Sequence, residues 1–241
     1  MRRYVSGAMI AILHLGPALH AQSLHTDFSA VLSEVVRDGL VDYQEIKTDE
    51  RFRRYLNQLS QTDPDAIRDK ADRLAFWINA YNAFTIELIV DHLPVQSIRE
   101  ITVGETGPWD IVWIGIGGEL YSLNQIEHEI IRKQFNEPLI HMALVCAAIS
   151  CPPLLSEAYT GERLKEQMEH SARLFLADTT KNRYDETTRT LYLSELFQWY
   201  GDDFTARYGS AVRFALGVIG VAESDGISVR YLPYNWNLNI R

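Results

Sequence analysis

The segment LAFWINAYNAFTIELIV, residues 74–90, decides the fold because it is apolar nearly all round. A helix of this kind is buried on most of its faces. Within it, Asn79, Asn82 and Thr85 recur at a spacing of three and form one narrow polar strip. Buried amides need hydrogen-bond partners. We therefore expect a buried helix whose polar strip faces other polar groups.

The segments on both sides of this helix predict an α+β fold. Amphipathic spacing and start signals predict further helices, at residues 27–36, 48–60, 122–135, 161–177, 194–199 and 203–218. Short apolar or alternating runs predict strands, at residues 111–116, 119–121, 139–146, 183–184, 191–193 and 227–231. The run 139–146 is interpreted as a buried strand, although its periodicity alone leaves a helix open. Helices outnumber strands and the strands come mainly as hairpins, so we expect a single α+β domain. Its small, mostly antiparallel sheet should be surrounded by several helices.

The first 21 residues have the three parts of a secretory signal peptide. Arg2 and Arg3 supply the positive charge, an apolar stretch runs from Val5 to about Ala18, and Ala21 precedes the predicted cleavage point. This stretch is shorter than the roughly 20 apolar residues of a membrane-spanning helix. We expect an exported protein, periplasmic or secreted, with its domain at residues 22–241 and no membrane span after cleavage.

The net charge limits the classes of partner. The chain carries 23 Lys and Arg residues against 32 Asp and Glu residues, for a formal charge of −9, and loss of Arg2 and Arg3 would make it more acidic. An acidic surface repels phosphate backbones and anionic lipid headgroups. We therefore expect an unknown small molecule or protein as the partner, with no nucleic acid. No cofactor and no metal ion is predicted, and the oligomeric state stays open.

Several motifs occur in order along the chain and point to one family. They are FWINAYNA (76–83), SLNQIE (122–127), HMALVC (141–146), SCPPL (150–154), FQWY (197–200) and YNWNLN (234–239). Together they resemble the family catalogued as domain of unknown function 547, over about residues 70–239. The resemblance implies a shared fold and a shared site but no established activity. Similar proteins tend to carry an arginine after the proline that precedes the histidine, whereas Leu139 follows Pro138 here.

The chemistry-bearing residues of these motifs are His141, Cys146 and Cys151. On one straight strand, His141 and Cys146 would point to opposite faces, and Cys146 would lie in the core. Cys151 lies in a Ser-Cys-Pro-Pro turn, where a reactive group is more often exposed. One hypothesis is therefore a thiol-dependent hydrolase or acyl transferase, with Cys151 as the nucleophile and His141 as its base.

Other side chains are assigned supporting roles around this pair. Asn82 or Asn79 could orient the imidazole or donate to an oxyanion, and Glu127 is another candidate for orienting it. Tyr81, Asn79, Glu127 and Cys146 are the candidate binding residues. Glu127 could also pair with Arg132. The remaining predictions concern structure: Trp77, Tyr81, Trp199, Tyr200 and Trp236 as core side chains, and Asp202 and Asp203 as a helix cap.

Three alternatives compete with nucleophilic catalysis. A structural disulfide between Cys146 and Cys151 would close a small loop, and a redox-active disulfide is less favoured because the spacing is not CxxC. A metal ion on His141, Cys146 and Cys151 would need a fourth ligand, such as His128 or Glu127. Both cysteines could also be buried core residues. The rival function is a non-catalytic periplasmic binding or scaffold domain that uses the same pocket.

Overall fold

Helix α4, Lys70–His92, is the most deeply buried element of the structure, a computed structural model that describes residues 24–224 and 226–241. Every side chain from Leu74 to Ile86 is buried. The carboxylate of Asp69 starts the helix by accepting hydrogen bonds from the N–H groups of Ala71 and Asp72, as N-cap residues do. The prediction of a buried helix is confirmed.

Among the described residues, three α-helices and a short hairpin precede α4. The helices are α1 (Thr26–Val35), α2 (Tyr43–Ile46) and α3 (Glu50–Gln61). In the hairpin, which lies between α1 and α2, strand β1 (Val36–Arg37) pairs antiparallel with β2 (Leu40–Val41). Helices α1 and α3 pack through stacked rings of Phe28 and Tyr55, whose centroids are 4.7 Å apart. The predicted signal peptide, residues 1–21, lies outside the described residues. Within the described part of the chain, no helix has the length and apolar character needed to cross a membrane.

The middle of the chain forms the predicted hairpin and helix. Strand β3 (Ile114–Ile116) pairs antiparallel with β4 (Glu119–Tyr121). The following helix starts with the predicted capping box, in which Ser122 and Gln125 bond each other's backbone N–H groups. Its first turns, Gln125–Ile131, are π-helical, and the α-helical end is α5 (Arg132–Phe135). Single π turns inside helices are frequent at functional sites.

The last part of the chain forms a three-stranded sheet and four helices. Strand β5 (Arg183–Asp185) pairs antiparallel with β6 (Thr190–Ser194), and β6 pairs parallel with β7 (Ser228–Leu232). The helices are α6 (Leu164–Ala177), α7 (Leu196–Trp199), α8 (Thr205–Tyr208) and α9 (Ala211–Ile219), and a 3₁₀ turn covers Gly201–Phe204. The predicted helix 203–218 is therefore interrupted, at Gly209 with φ +80°. Small, mainly antiparallel sheets surrounded by helices confirm the α+β prediction.

The predicted strand at 139–146 is wrong. Residues Pro138–Met142 form a 3₁₀ helix, capped by the side chain of Glu137, and the chain then continues without regular structure. The backbone of Ala143 and Val145 bonds the amide side chain of Asn82 instead of a neighbouring strand. The apolar run 139–146 therefore indicates burial and not a strand. Because the expectation that His141 and Cys146 point to opposite faces assumed a straight strand, it no longer holds.

Candidate functional site

A cavity of about 290 Å³ contains the three residues on which the sequence hypotheses depend. Its walls combine thiol, imidazole, carboxyl and aromatic side chains. The lining residues are Tyr81, Trp109, Asn124, Glu127, His141, Leu144, Cys146, Cys151, Pro152, Leu196, Trp199, Tyr200, Tyr234 and Trp236. They come from α4, the π-helical turns, the 3₁₀ helix Pro138–Met142, the loop that follows it, α7 and the C-terminal segment.

The sulfur of Cys151 is surrounded by hydrogen-bond donors. The backbone N–H of Cys146 donates to it at 3.1 Å and the hydroxyl of Tyr234 at 3.2 Å. The thiol of Cys146 lies 2.6 Å away. Burial acts to raise the pKa of Cys151, but the hydrogen bonds from Cys146, Tyr234 and two backbone N–H groups outweigh it and lower the pKa below its usual value. A thiol with a lowered pKa is the reactive kind.

The structure reverses the predicted exposure of the two cysteines, because Cys151 is buried and Cys146 is partly exposed. The pKa of Cys146 also shifts in the opposite direction to that of Cys151. Its hydrogen bond to Cys151 and its burial raise its pKa well above the usual value, so it is the proton donor of the pair. Both cysteines are free thiols, and their 2.6 Å separation exceeds the roughly 2.05 Å of a disulfide bond. The structural disulfide considered from the sequence is therefore absent here.

In the turn between the two cysteines, backbone N–H groups point toward the Cys151 sulfur. Ala147 has φ +59°, a left-handed conformation that residues with a side chain rarely adopt. The N–H of Cys146 donates to the sulfur, and the N–H of Ala148 also lowers the pKa of Cys151. Successive N–H groups in such turns form concave sites for negative charge. The backbone around Ala147 therefore stabilises a thiolate at Cys151.

His141 is bound to Asp203. Its Nε2 donates to Oδ2 of Asp203 at 2.7 Å, and Arg132 donates to both oxygens of the same carboxylate, each at 2.8 Å. The hydrogen bonds from His141 and Arg132 lower the pKa of Asp203 far below its usual value, so the carboxylate is ionised and can only accept. Among the described residues, nothing hydrogen-bonds to Nδ1 of His141, so Nδ1 is the nitrogen available to accept a proton, and His141 is one of the residues that line the cavity.

The comparisons with known proteins identify the family. Residues 65–176 match the family model described as protein of unknown function, DUF547. The chain carries a DUF547 domain. No curated protein and no solved structure matches it. The matched residues of the DUF547 domain include His141 and both cysteines, whereas Asp203, Tyr200 and Tyr234 lie beyond the match.

Asn79 and Asn82 of the DUF547 domain are not among the residues that line the cavity. Asn82 donates to the carbonyl of Ala143 at 2.9 Å and accepts from the N–H of Val145 at 2.9 Å. Asn79 bonds the N–H and the carbonyl of Tyr159 in the same way. Both amides are fully used by the backbone, so the polar strip faces polar groups as predicted. The orienting role predicted for Asn82 or Asn79 at the imidazole is instead performed by Asp203.

The third member of the strip, Thr85, and the candidate fourth metal ligand His128 are not among the residues that line the cavity. The hydroxyl of Thr85 is buried without a hydrogen-bond partner among the described residues. His128 bonds Arg132 at 3.1 Å. Within residues 24–224 and 226–241, no three His, Cys, Asp or Glu side chains are grouped so that they could hold a metal ion.

Glu127 faces tyrosines rather than the predicted arginine. Arg132 is bound to Asp203 instead. Burial, followed by the charge of Glu127, raises the pKa values of Tyr81 and Tyr200 well above the usual range. The ring of Tyr200 stacks on the imidazole of His141, with centroids 4.1 Å apart and an interplanar angle of 14°. Tyr200 is thus affected by the charge of Glu127 and packs against His141.

Sequence reasoning missed the role of Asp203 and of the aromatic side chains around the cavity. Asp203 was predicted to cap a helix, and nothing local indicates that it reaches a histidine 62 residues away. The predicted core residue Trp199 is 45% exposed. The motif YNWNLN, residues 234–239, was the available signal, since Tyr234 and Trp236 both line the cavity.

Proposed function

We propose that this protein is a thiol-dependent acyl transferase or hydrolase in which Cys151 is the nucleophile. The observation that carries the proposal is the set of donors around the Cys151 sulfur, which lowers its pKa at the wall of a cavity. Elsewhere in the cavity wall, Nδ1 of His141 is an unoccupied acceptor and Nε2 is held by Asp203. A positioned thiolate together with a positioned base is the arrangement needed for acyl transfer.

The chemistry follows in two steps. The Cys151 thiolate attacks the carbonyl carbon of an ester, the bond to the leaving alkoxide breaks, and a thioester forms while the alkoxide takes a proton from water. Water or another acceptor then attacks the thioester carbon while His141 Nδ1 takes its proton, and the carbon–sulfur bond breaks to return the thiolate. His141 then releases this proton to solvent. The N–H groups around Ala147 stabilise the thiolate in its resting and leaving forms.

A non-catalytic binding domain is the second candidate. It is favoured by the exposed ring of Trp199, which forms a cluster with Tyr234 and Trp236 at the cavity. Exposed aromatic rings grouped at a cavity are typical of ligand-binding surfaces. This candidate uses the same cavity without thiol chemistry, so a covalent probe separates the two functions.

The test is acetylation by p-nitrophenyl acetate, followed by release of p-nitrophenolate and by intact mass. We expect one acetyl group on Cys151 and none on Cys146. Alkylation of Cys151 by iodoacetamide should lose its rate at a lower pH than alkylation of an ordinary thiol, whose pKa is about 8.5, because the pKa of Cys151 is lowered.

Matched variants of the two cysteines make this test specific. Cys151→Ser should abolish acetylation. Cys146→Ser should retain it, since the serine hydroxyl still donates to the Cys151 sulfur. Acetylation that persists in Cys151→Ser, or that occurs on Cys146 in the wild type, would contradict the proposal. Failure of every acetylation with an intact fold would favour the binding domain.

A further inference from the structure

The cavity has an unusual balance of charge. Among the residues that the structure describes, Glu127 is the only carboxylate in the cavity lining, and no lysine or arginine lines it. Glu127 is only 7% exposed, and burial together with its charge raises the pKa of the neutral Tyr200 hydroxyl. Arg132, a neighbouring cation, already binds both oxygens of Asp203. Since buried charges are normally paired, the carboxylate of Glu127 has room for a cation supplied by a ligand.

Four aromatic rings form the second feature, which we call the aromatic mouth: Trp109, Trp199, Tyr234 and Trp236. Trp236 lies 5.5 Å from Trp109, 5.9 Å from Trp199 and 4.6 Å from Tyr234, between ring centroids. All four line the cavity, and Trp199 reaches solvent. The guanidinium of Arg99 lies 5.4 Å from the centroid of Trp236, so one ring of the mouth already contacts a cation of the protein.

These two features suit one class of ligand. Aromatic faces attract cations through their quadrupole, and groups of rings recognise alkylated ammonium ions. An anionic ligand would meet the carboxylate of Glu127 with no lysine or arginine in the cavity lining to compensate. A neutral ligand would leave that carboxylate without a counter-charge.

We propose that the cavity binds an alkylated ammonium ion, with its charge near Glu127 and its alkyl groups against the aromatic mouth. The chemistry rests on the proposed function: the acyl substrate carries this cation in its leaving alcohol or its acyl chain. The recognition itself is non-covalent and does not require the Cys151 thiol.

The test compares choline with its neutral isostere, in which a quaternary carbon replaces the nitrogen. Titrations are followed by the fluorescence of the tryptophans, three of which are in the aromatic mouth. We expect choline to bind about tenfold more tightly than the isostere, within the range of a desolvated cation–π contact and its counter-charge. Equal affinities, or no binding of choline, would overturn the proposal.

Three variants connect the preference to the site. Glu127→Gln keeps the size of the side chain but removes its charge, and it should remove the preference for choline. Glu129→Gln, two residues away on the exposed face and paired with Lys133, should leave the preference unchanged. Cys151→Ser should also keep it, so that a failure of thiol chemistry and a failure of cation binding are distinguishable. A preference that survives in a folded Glu127→Gln variant contradicts the assignment.

Discussion

Asp203 accepts hydrogen bonds from side chains of two different elements. It lies in the 3₁₀ turn Gly201–Phe204, while His141 belongs to the 3₁₀ helix Pro138–Met142 and Arg132 to α5. The two N–H bonds from Arg132 fix the plane of the carboxylate, as bidentate pairs do. The carboxylate in turn fixes which nitrogen of His141 carries the proton, and this leaves Nδ1 free for a base.

Replacing Asp203 tests this arrangement at the scale of one residue. Asp203→Asn keeps the shape but can donate to Nε2, which would move the imidazole proton to Nδ1 and remove the acceptor. We expect hydrolysis of the acetylated Cys151 to slow by about 100-fold, a typical contribution of a general base. The measurement is the decay of the acetyl-protein by mass. Asp202→Asn, at the exposed neighbouring position, is the control, and equal decay rates in both variants would exclude the role of Asp203.

At the scale of elements, α4 supports the segments around the cavity, and among its described residues only Tyr81 lines the cavity. Its asparagines bond the irregular segments around Ala143 and Tyr159. Amide side chains can replace a neighbouring strand because, like the backbone, they carry both N–H donors and a carbonyl acceptor. The loop that leads to the cysteines is therefore held by a helix, which explains how a buried segment can lack regular structure.

Helix α4 also carries a carboxyl group that makes stability depend on pH. Burial, followed by the charge of Asp91, raises the pKa of Glu87 to about 7. As pH rises from about 4.5 to 7, the unfolded chain ionises Glu87 first, so the folded state loses stability over this range. Glu87→Gln removes this loss, and we expect the variant to gain about 2 kcal/mol relative to wild type between pH 5 and pH 8.

Urea unfolding at the two pH values measures this gain. Glu119→Gln, at the exposed start of β4, is the matched control, and its difference from wild type should be the same at both pH values. A Glu87→Gln variant whose stability difference from wild type does not change with pH would show that Glu87 does not ionise in this range.

At the scale of the whole molecule, the C-terminal segment connects the first hairpin to the cysteine loop. The side chain of Asn239 accepts from the hydroxyl of Tyr43 at 2.6 Å and donates to the carbonyl of Gly39 at 3.1 Å. Its backbone N–H donates to the carbonyl of Ala147 at 3.0 Å, between the two cysteines. One residue near the end of the chain therefore bonds the start of the fold and the site.

Removing this amide should weaken both regions. Asn239→Ala leaves the buried hydroxyl of Tyr43 and the carbonyl of Gly39 unsatisfied, and we expect a loss of about 3 kcal/mol. Denaturant unfolding measures the loss, and alkylation of Cys151 reports on the loop. Asn237→Ala, an exposed position in the same segment, should cost less than about 0.5 kcal/mol. Equal stability of the two variants would contradict the connection.

The sequence by itself determined the elements whose signals are local. The buried helix, the hairpin at 114–121, the capping box at Ser122 and the α+β class follow from periodicity and turn chemistry, and the family motifs indicated the two cysteines and His141. The signal peptide, residues 1–21, and export stay predictions.

Only the tertiary structure decided what these residues touch. It replaced the predicted strand at 139–146 by a 3₁₀ helix and an irregular loop, because the amide of Asn82 supplies the backbone bonds that a strand would need. It brought Asp203 to His141 across 62 residues and Tyr234 to Cys151 across 83. Such contacts leave no periodic trace, since hydrogen bonding depends on distance in space and not on spacing along the chain.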